Sequence, residues 1–125
     1  MSSLETPLHR VQGLGAAHSG TQHFWRERIT ALALIPLSIW FGFSALALIG
    51  AKEVDVLTYF QHPWNAGLMG MFVVIMLIHQ MIGLQSVIDD YVHQPGLKLL
   101  CLLLNRAFAW LVGVACLIAL ARVAL

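Results

Sequence analysis

Three apolar blocks, each close to the roughly 20 residues a helix needs to cross a hydrocarbon core, leave this chain few folds to adopt. They run from about Ile29 to Ala51, Leu68 to Ile88 and Leu97 to Leu120. In lipid the backbone must satisfy its own hydrogen bonds, so such blocks become helices. Of the 125 residues, 59% are hydrophobic and 10% charged, against roughly 25% charged in a soluble domain. The expected fold is all-α. Residues 1–28 form a polar N-terminal segment, and residues 29–125 form one compact domain of three transmembrane helices. No room remains for a soluble catalytic domain. The net charge of +1 gives no reason to expect nucleic acid as a partner.

The two cysteines, Cys101 and Cys116, share the third block. One helix separates them by ~22 Å, too far for a bond to each other, so they read as small packing residues. The first 28 residues have neither the early apolar core of a secretory signal nor the arginine content of a transit peptide. The expected location is therefore a bacterial inner membrane, as a multi-pass protein.

Topology follows from charge. An odd number of spans puts the N-terminus and the second loop, about Asp89 to Gly96, on one side. That side carries Arg10, Arg26, Arg28 and Lys98, with Arg106 about two turns inside the third helix. The other side has Lys52 and Arg122. The positive-inside bias then makes the N-terminus and the Asp89-Asp90-Tyr91 corner cytoplasmic. A surface helix from about Thr21, with Phe24 and Trp25 on its apolar side, is expected to lead into the first span. Pro63 bars a continuous helix through the first loop, about Lys52 to Gly67.

The second block carries the chemistry. A titratable imidazole, His79, lies near its middle, where it is costly unless satisfied. At 100° per residue, Gly83 follows His79 by ~40°, Ser86 by roughly −20° and Asp90 by ~20°. These four residues form one stripe from mid-membrane to the edge. In the bland reading, His79 bonds a neighbouring helix and Gly83 permits close packing. The alternative is a ligand: neutral imidazole offers a lone pair to haem iron, and Gly83 lets a flat group approach. One intramembrane His supplies one axial ligand, so a second would come from another subunit. Asp90 and Tyr91 suit a headgroup-zone acid and an aromatic belt. They equally suit orienting an Arg and donating a hydrogen bond to a carbonyl oxygen.

The string His79-Q-M-I-Gly83-L-Q-S-V-I-Asp89-Asp90-Tyr91-Val92 resembles the H-x3-G-x6-D-Y signature of the hydrophobic membrane anchor subunits of succinate dehydrogenase, respiratory complex II. The segment His23-FWRER-Ile29-Thr30-Ala31 is similar to the family's entry into its first span. The resemblance implies that His79 is one axial ligand of haem b, with the other from a partner cytochrome b556 subunit in a shared helix bundle. It implies that Tyr91 hydrogen-bonds ubiquinone and that Asp90 holds a partner Arg facing the quinone. Arg28 and His23 would lie near the haem propionates. FAD and iron–sulfur clusters would belong to a flavoprotein subunit and an iron–sulfur subunit docked on the cytoplasmic face. Two consecutive acids depart from the single acid of the pattern, and the gapless count from His79 selects Asp90.

Rival functions are a fumarate reductase anchor, a small transporter relaying protons through His79 and Asp90, and a structural assembly subunit. A transporter would show more polar residues across its spans. The first and third blocks offer little beyond Ser38, Ser44, Asn105 and Arg106. An absorption spectrum of the assembled complex separates the haem-binding reading from the others.

Overall fold

Four helices account for nearly all of residues 19–125, which a computed structural model of the chain describes. They are α1 (Ser19–Ala47), α2 (Glu53–Gln61), α3 (Pro63–Tyr91) and α4 (Pro95–Ala124). Three of them, α1, α3 and α4, are long and apolar enough to cross a membrane, so the expected all-α, three-span architecture holds. His9, Arg10 and His18 of the N-terminal segment lie outside the described residues.

α3 and α4 overrun their apolar blocks at both ends, while α1 starts earlier, at Ser19, and stops at Ala47, short of Ala51, because local signals, not hydropathy, set the ends. Pro63 and Pro95 both occupy the first turn of a helix, where a missing N–H costs nothing. The His62 side chain accepts from the Trp64 N–H at 3.3 Å and caps α3. The expected surface helix before the first span is simply the first turns of α1, which starts at Ser19.

The helical path does break before Pro63, and within the first loop a short helix, α2, precedes that break. Glu53 and Asp55 lie in its first turn, where carboxylates complement the helix dipole. The Asp55 carboxylate accepts from the Lys52 N–H at 3.3 Å. At nine residues the helix is too short to span. It is tied down at both sides: the Ser44 and Tyr59 hydroxyls are 2.6 Å apart, and the Asn65 amide donates to the Tyr59 carbonyl at 3.0 Å.

α3 is the central helix. It packs against α1 on one side and α4 on the other, and α1 and α4 do not meet among the described residues. The α1–α3 register is visible in its polar contacts. His23 meets Ser86, and seven residues later Thr30 meets His79. A further seven-residue step along α1, with the matching step back along α3, reaches Leu37 and Phe72, both buried. The α3–α4 seam is similarly antiparallel. Asp89 pairs with Lys98 at one end, and Gly113 lies against Leu77 further along, where an added Cβ would stand 3.1 Å from Leu77 Cδ1. Few side chains are buried: Leu37, Phe72, Leu77, Ile82, Ile88 and Ala109 make up the apolar core.

Candidate functional site

The α1–α3 seam places four polar residues in a row. His79 Nδ1 lies 2.9 Å from Thr30 Oγ1. The Thr30 hydroxyl also contacts its own helix, donating to the Arg26 carbonyl at 2.7 Å with the Glu27 carbonyl at 3.0 Å. A hydroxyl has one proton and two lone pairs. With that proton on the α1 carbonyls, Oγ1 accepts from His79 Nδ1–H. The ring is then the tautomer whose Nε2 carries the lone pair, and Nε2 makes no hydrogen bond among the described residues. A ligating imidazole typically has its other ring nitrogen held in this way, fixing its orientation and raising its basicity.

One helical stretch towards the Tyr91 end, His23 Nε2 lies 2.9 Å from Ser86 Oγ, which itself donates to the Ile82 carbonyl at 3.2 Å. His79 and Ser86 of the stripe therefore both engage α1. The remaining two members stay open. A Cβ added at Gly83 would meet nothing within 4 Å, so this glycine is not demanded by packing inside the chain. That distinguishes it from Gly113, which the α3–α4 seam does use. The residues fit a flat macrocycle: an oriented imidazole with a free nitrogen, and one turn away a helix surface without side-chain bulk. No three of His, Cys, Asp and Glu converge among the described residues. A metal held at His79 would therefore take its other ligands from elsewhere.

At the end of α3 the consecutive acids separate. Asp89 pairs with Lys98 of α4 at 3.1 Å. Asp90 is exposed and has no ion-pair partner among the described residues. The carboxylate left available is thus the one that the spacing from His79 selects. Tyr91 is 78% exposed, and its hydroxyl makes no bond within the described chain.

Arg28 is not brought to this row. It falls ~160° around α1 from Thr30, is exposed, and lies with its guanidinium 5.1 Å from the centre of the Phe24 ring. Two features were missed in the sequence. Thr30 is one; its signal was the seven-residue spacing of His23, Thr30, Leu37 and Ser44. The other is an intramembrane amide pair. Gln80 donates to Asn105 Oδ1 at 3.0 Å, and Asn105 donates to the Met81 carbonyl at 2.9 Å. Gln80 Oε1 is buried without a donor among the described residues.

Two membrane-length helices packed against a third that carries a tethered imidazole define a small multi-span membrane protein. The sequence profile of the succinate dehydrogenase/fumarate reductase transmembrane subunit family matches residues 2–119. The succinate dehydrogenase hydrophobic membrane anchor subunit of Paracoccus denitrificans is 36% identical over 120 residues, which cover 96% of this chain and 92% of that protein. The corresponding subunit of Rickettsia bellii is 29% identical over 110 residues, 88% of each chain. The succinate dehydrogenase membrane anchor subunit of Reclinomonas americana is 28% identical over 94 residues, 73% of this chain and 78% of that one. No solved structure matches the chain significantly. The chain belongs to the succinate dehydrogenase/fumarate reductase transmembrane subunit family, as a membrane anchor subunit of succinate dehydrogenase.

Proposed function

We propose that this anchor supplies one axial ligand of haem b through His79 Nε2 and part of a ubiquinone site through Tyr91 and Asp90. The observation that carries the reading is the Thr30–His79 bond. A His serving only to join two helices gains from one hydrogen bond and needs no free nitrogen. Here the bond leaves Nε2 free while an open glycine surface lies one turn away. The second axial ligand comes from a cytochrome b556 membrane subunit, because His79 is the one histidine in the apolar middle of a span among the described residues. His23, tied to Ser86, is positioned to meet a propionate at the edge of the same seam. Arg28 reaches a propionate only by leaving the Phe24 ring.

Haem b, when bound, supplies a one-electron carrier within the bilayer. The chain's own part is to hold and orient. Thr30 fixes the ring plane and tautomer of His79. Tyr91 donates its hydroxyl to a quinone carbonyl oxygen and so orients the ring. The Asp90 carboxylate fixes an Arg of the partner membrane subunit against the same pocket. The exposed end of α3 gives both residues access to water, which quinone reduction needs for its two protons. Electrons reach the quinone from succinate through a flavoprotein subunit with FAD and an iron–sulfur subunit. These dock on the side of the Asp89–Tyr91 corner, which the charge bias makes cytoplasmic in a bacterial inner membrane.

The test is His79→Leu in the assembled complex. The expected result is loss or strong perturbation of the low-spin b-type absorption spectrum, with the soluble subunits still attached. An unchanged spectrum in an assembled complex removes the ligand assignment.

A further inference from the structure

A second site lies on the face of the α3–α4 pair away from Gly83. An apolar cleft of about 270 Å³ runs between the two helices there, bounded by Ile78 and Met81 of α3 and by Trp110, Gly113, Val114 and Leu117 of α4. At 100° per residue, Trp110, Gly113 and Leu117 stand within ~40° of Arg106. Arg106 therefore continues the α4 wall of the cleft one turn closer to Pro95. On α3, Gln85 follows Met81 by ~40° and Ile78 by roughly −20°, so it continues the opposite wall at the same end. By helical period both polar residues fall at the same end of an otherwise apolar slot, just beyond its lining residues.

Arg106 is out of place unless something meets it. The Asn105 bonds to Gln80 and Met81 put it level with the middle of α3. If the 30 residues of α4 are centred on a hydrocarbon layer of ~30 Å, Arg106 lies ~10 Å inside it. It is exposed, and no acid pairs with it among the described residues. Its Cβ tilts towards the Pro95 end, as every helical Cβ tilts towards its N-terminus. The guanidinium therefore snorkels towards the nearer headgroup layer while its stem covers apolar surface.

We propose that this cleft binds one anionic phospholipid, with an acyl chain in the slot and the phosphate on the Arg106 guanidinium, beside the Gln85 amide. Guanidinium matches a phosphate bidentately, and a headgroup of net negative charge neutralises Arg106, whereas a zwitterionic one brings its own cation. The proposal rests on the membrane-anchor reading alone and not on haem or quinone binding.

The experiment is native mass spectrometry of the intact complex, reconstituted in phosphatidylcholine with a minor fraction of phosphatidylglycerol and then delipidated in mild detergent. Wild type is expected to retain one phosphatidylglycerol per anchor chain. Arg106→Gln, which removes the charge, and Val114→Phe, which fills the slot, are each expected to lower that occupancy roughly tenfold or more. Both positions are exposed, and co-purification of the other subunits checks assembly. Retention in all three proteins overturns the site. So does loss in Arg106→Gln with full retention in Val114→Phe, which shows a snorkelling arginine without a slot. Equal retention of phosphatidylcholine by wild type removes the charge selection. Release of the partner membrane subunit by Arg106→Gln hands this face to a protein contact.

Discussion

Replacing Thr30 by Val keeps the shape of the side chain and deletes the oxygen that holds His79 Nδ1 at 2.9 Å. The Nδ1–H then faces apolar surroundings without an acceptor. A hydrogen bond of this kind contributes about 0.5–1.5 kcal/mol net, and a donor left buried and unpaired costs about 1–3 kcal/mol. With haem bound at His79 as proposed, part of that acts on the iron. An acceptor on Nδ1–H raises the basicity of Nε2 and so favours the ferric form. If the differential between oxidation states is about 0.5–1.5 kcal/mol, the midpoint potential of haem b rises by about 20–60 mV in Thr30→Val, since ~59 mV corresponds to a factor of ten for one electron. The assay is a redox titration of the b-type absorption band in the assembled complex, with Thr30→Ser as control. Ser retains the hydroxyl and should stay near wild type. Haem affinity should fall by roughly 10–100-fold in Thr30→Val, read as haem lost on dilution. Thr30→Val with wild-type potential and haem retention would refute the tautomer argument. A serine variant as perturbed as the valine one would show that packing, not the hydroxyl, matters.

Gly83→Val adds a side chain where nothing stands within 4 Å, so the subunit should assemble normally while haem content falls; normal haem content would show that no group approaches there. Tyr91→Phe should slow succinate-driven ubiquinone reduction severely while electron transfer to a soluble artificial acceptor continues, and equal loss of both would indicate failed assembly. Asn105→Leu breaks both amide bonds of the α3–α4 seam and should destabilise the helix pair by about 0.6–1.7 kcal/mol, measured by detergent-induced unfolding. Lys98→Met leaves Asp89 unpaired at an exposed end and should change stability by no more than about 1 kcal/mol.

The three spans were legible because hydropathy and length decide them, but the apolar blocks placed the starts of α3 and α4, at Pro63 and Pro95, too late. α2 was not legible. It is short, and its anchors, Ser44 and Asn65 on Tyr59, come from neighbouring helices. The stripe of His79, Gly83, Ser86 and Asp90 followed from helical period alone. What each member does depends on contacts that period does not carry. Thr30 stands 49 residues from His79, and His23 stands 63 from Ser86. The choice between Asp89 and Asp90 was made on spacing. The Lys98 pair that occupies Asp89 and leaves Asp90 unpaired among the described residues lies across a turn on another helix. Arg28 shows the opposite case. Its place in sequence beside His23 and Thr30 says nothing of its direction, and helical rotation turns it away from both.

A single layer of three helices explains why so much chemistry is left half-made. With α1 and α4 on opposite sides of α3 and not touching each other, every residue of α3 faces a neighbour helix or one of two open faces. In water such a layer would expose too much apolar surface to persist, but in lipid there is no hydrophobic force to close it into a bundle. Helix pairing rests instead on close packing, as at Gly113 and Leu77, and on polar contacts: Thr30 with His79, Gln80 with Asn105, and Asp89 with Lys98. Those contacts fix α3 in rotation. Once α3 is fixed, Gly83 and Asp90 stay within ~40° of His79 at the edge of the α1 seam, while Met81 and Gln85 turn to the other side of the helix. The first face offers a free imidazole nitrogen, a bare helix surface and an unpaired carboxylate, each of which calls for a group this chain does not contain. The second offers a slot and a lone cation, which suits the bilayer itself. The same few bonds that hold the layer together therefore divide it into the side proposed for partner and cofactor and the side proposed for lipid.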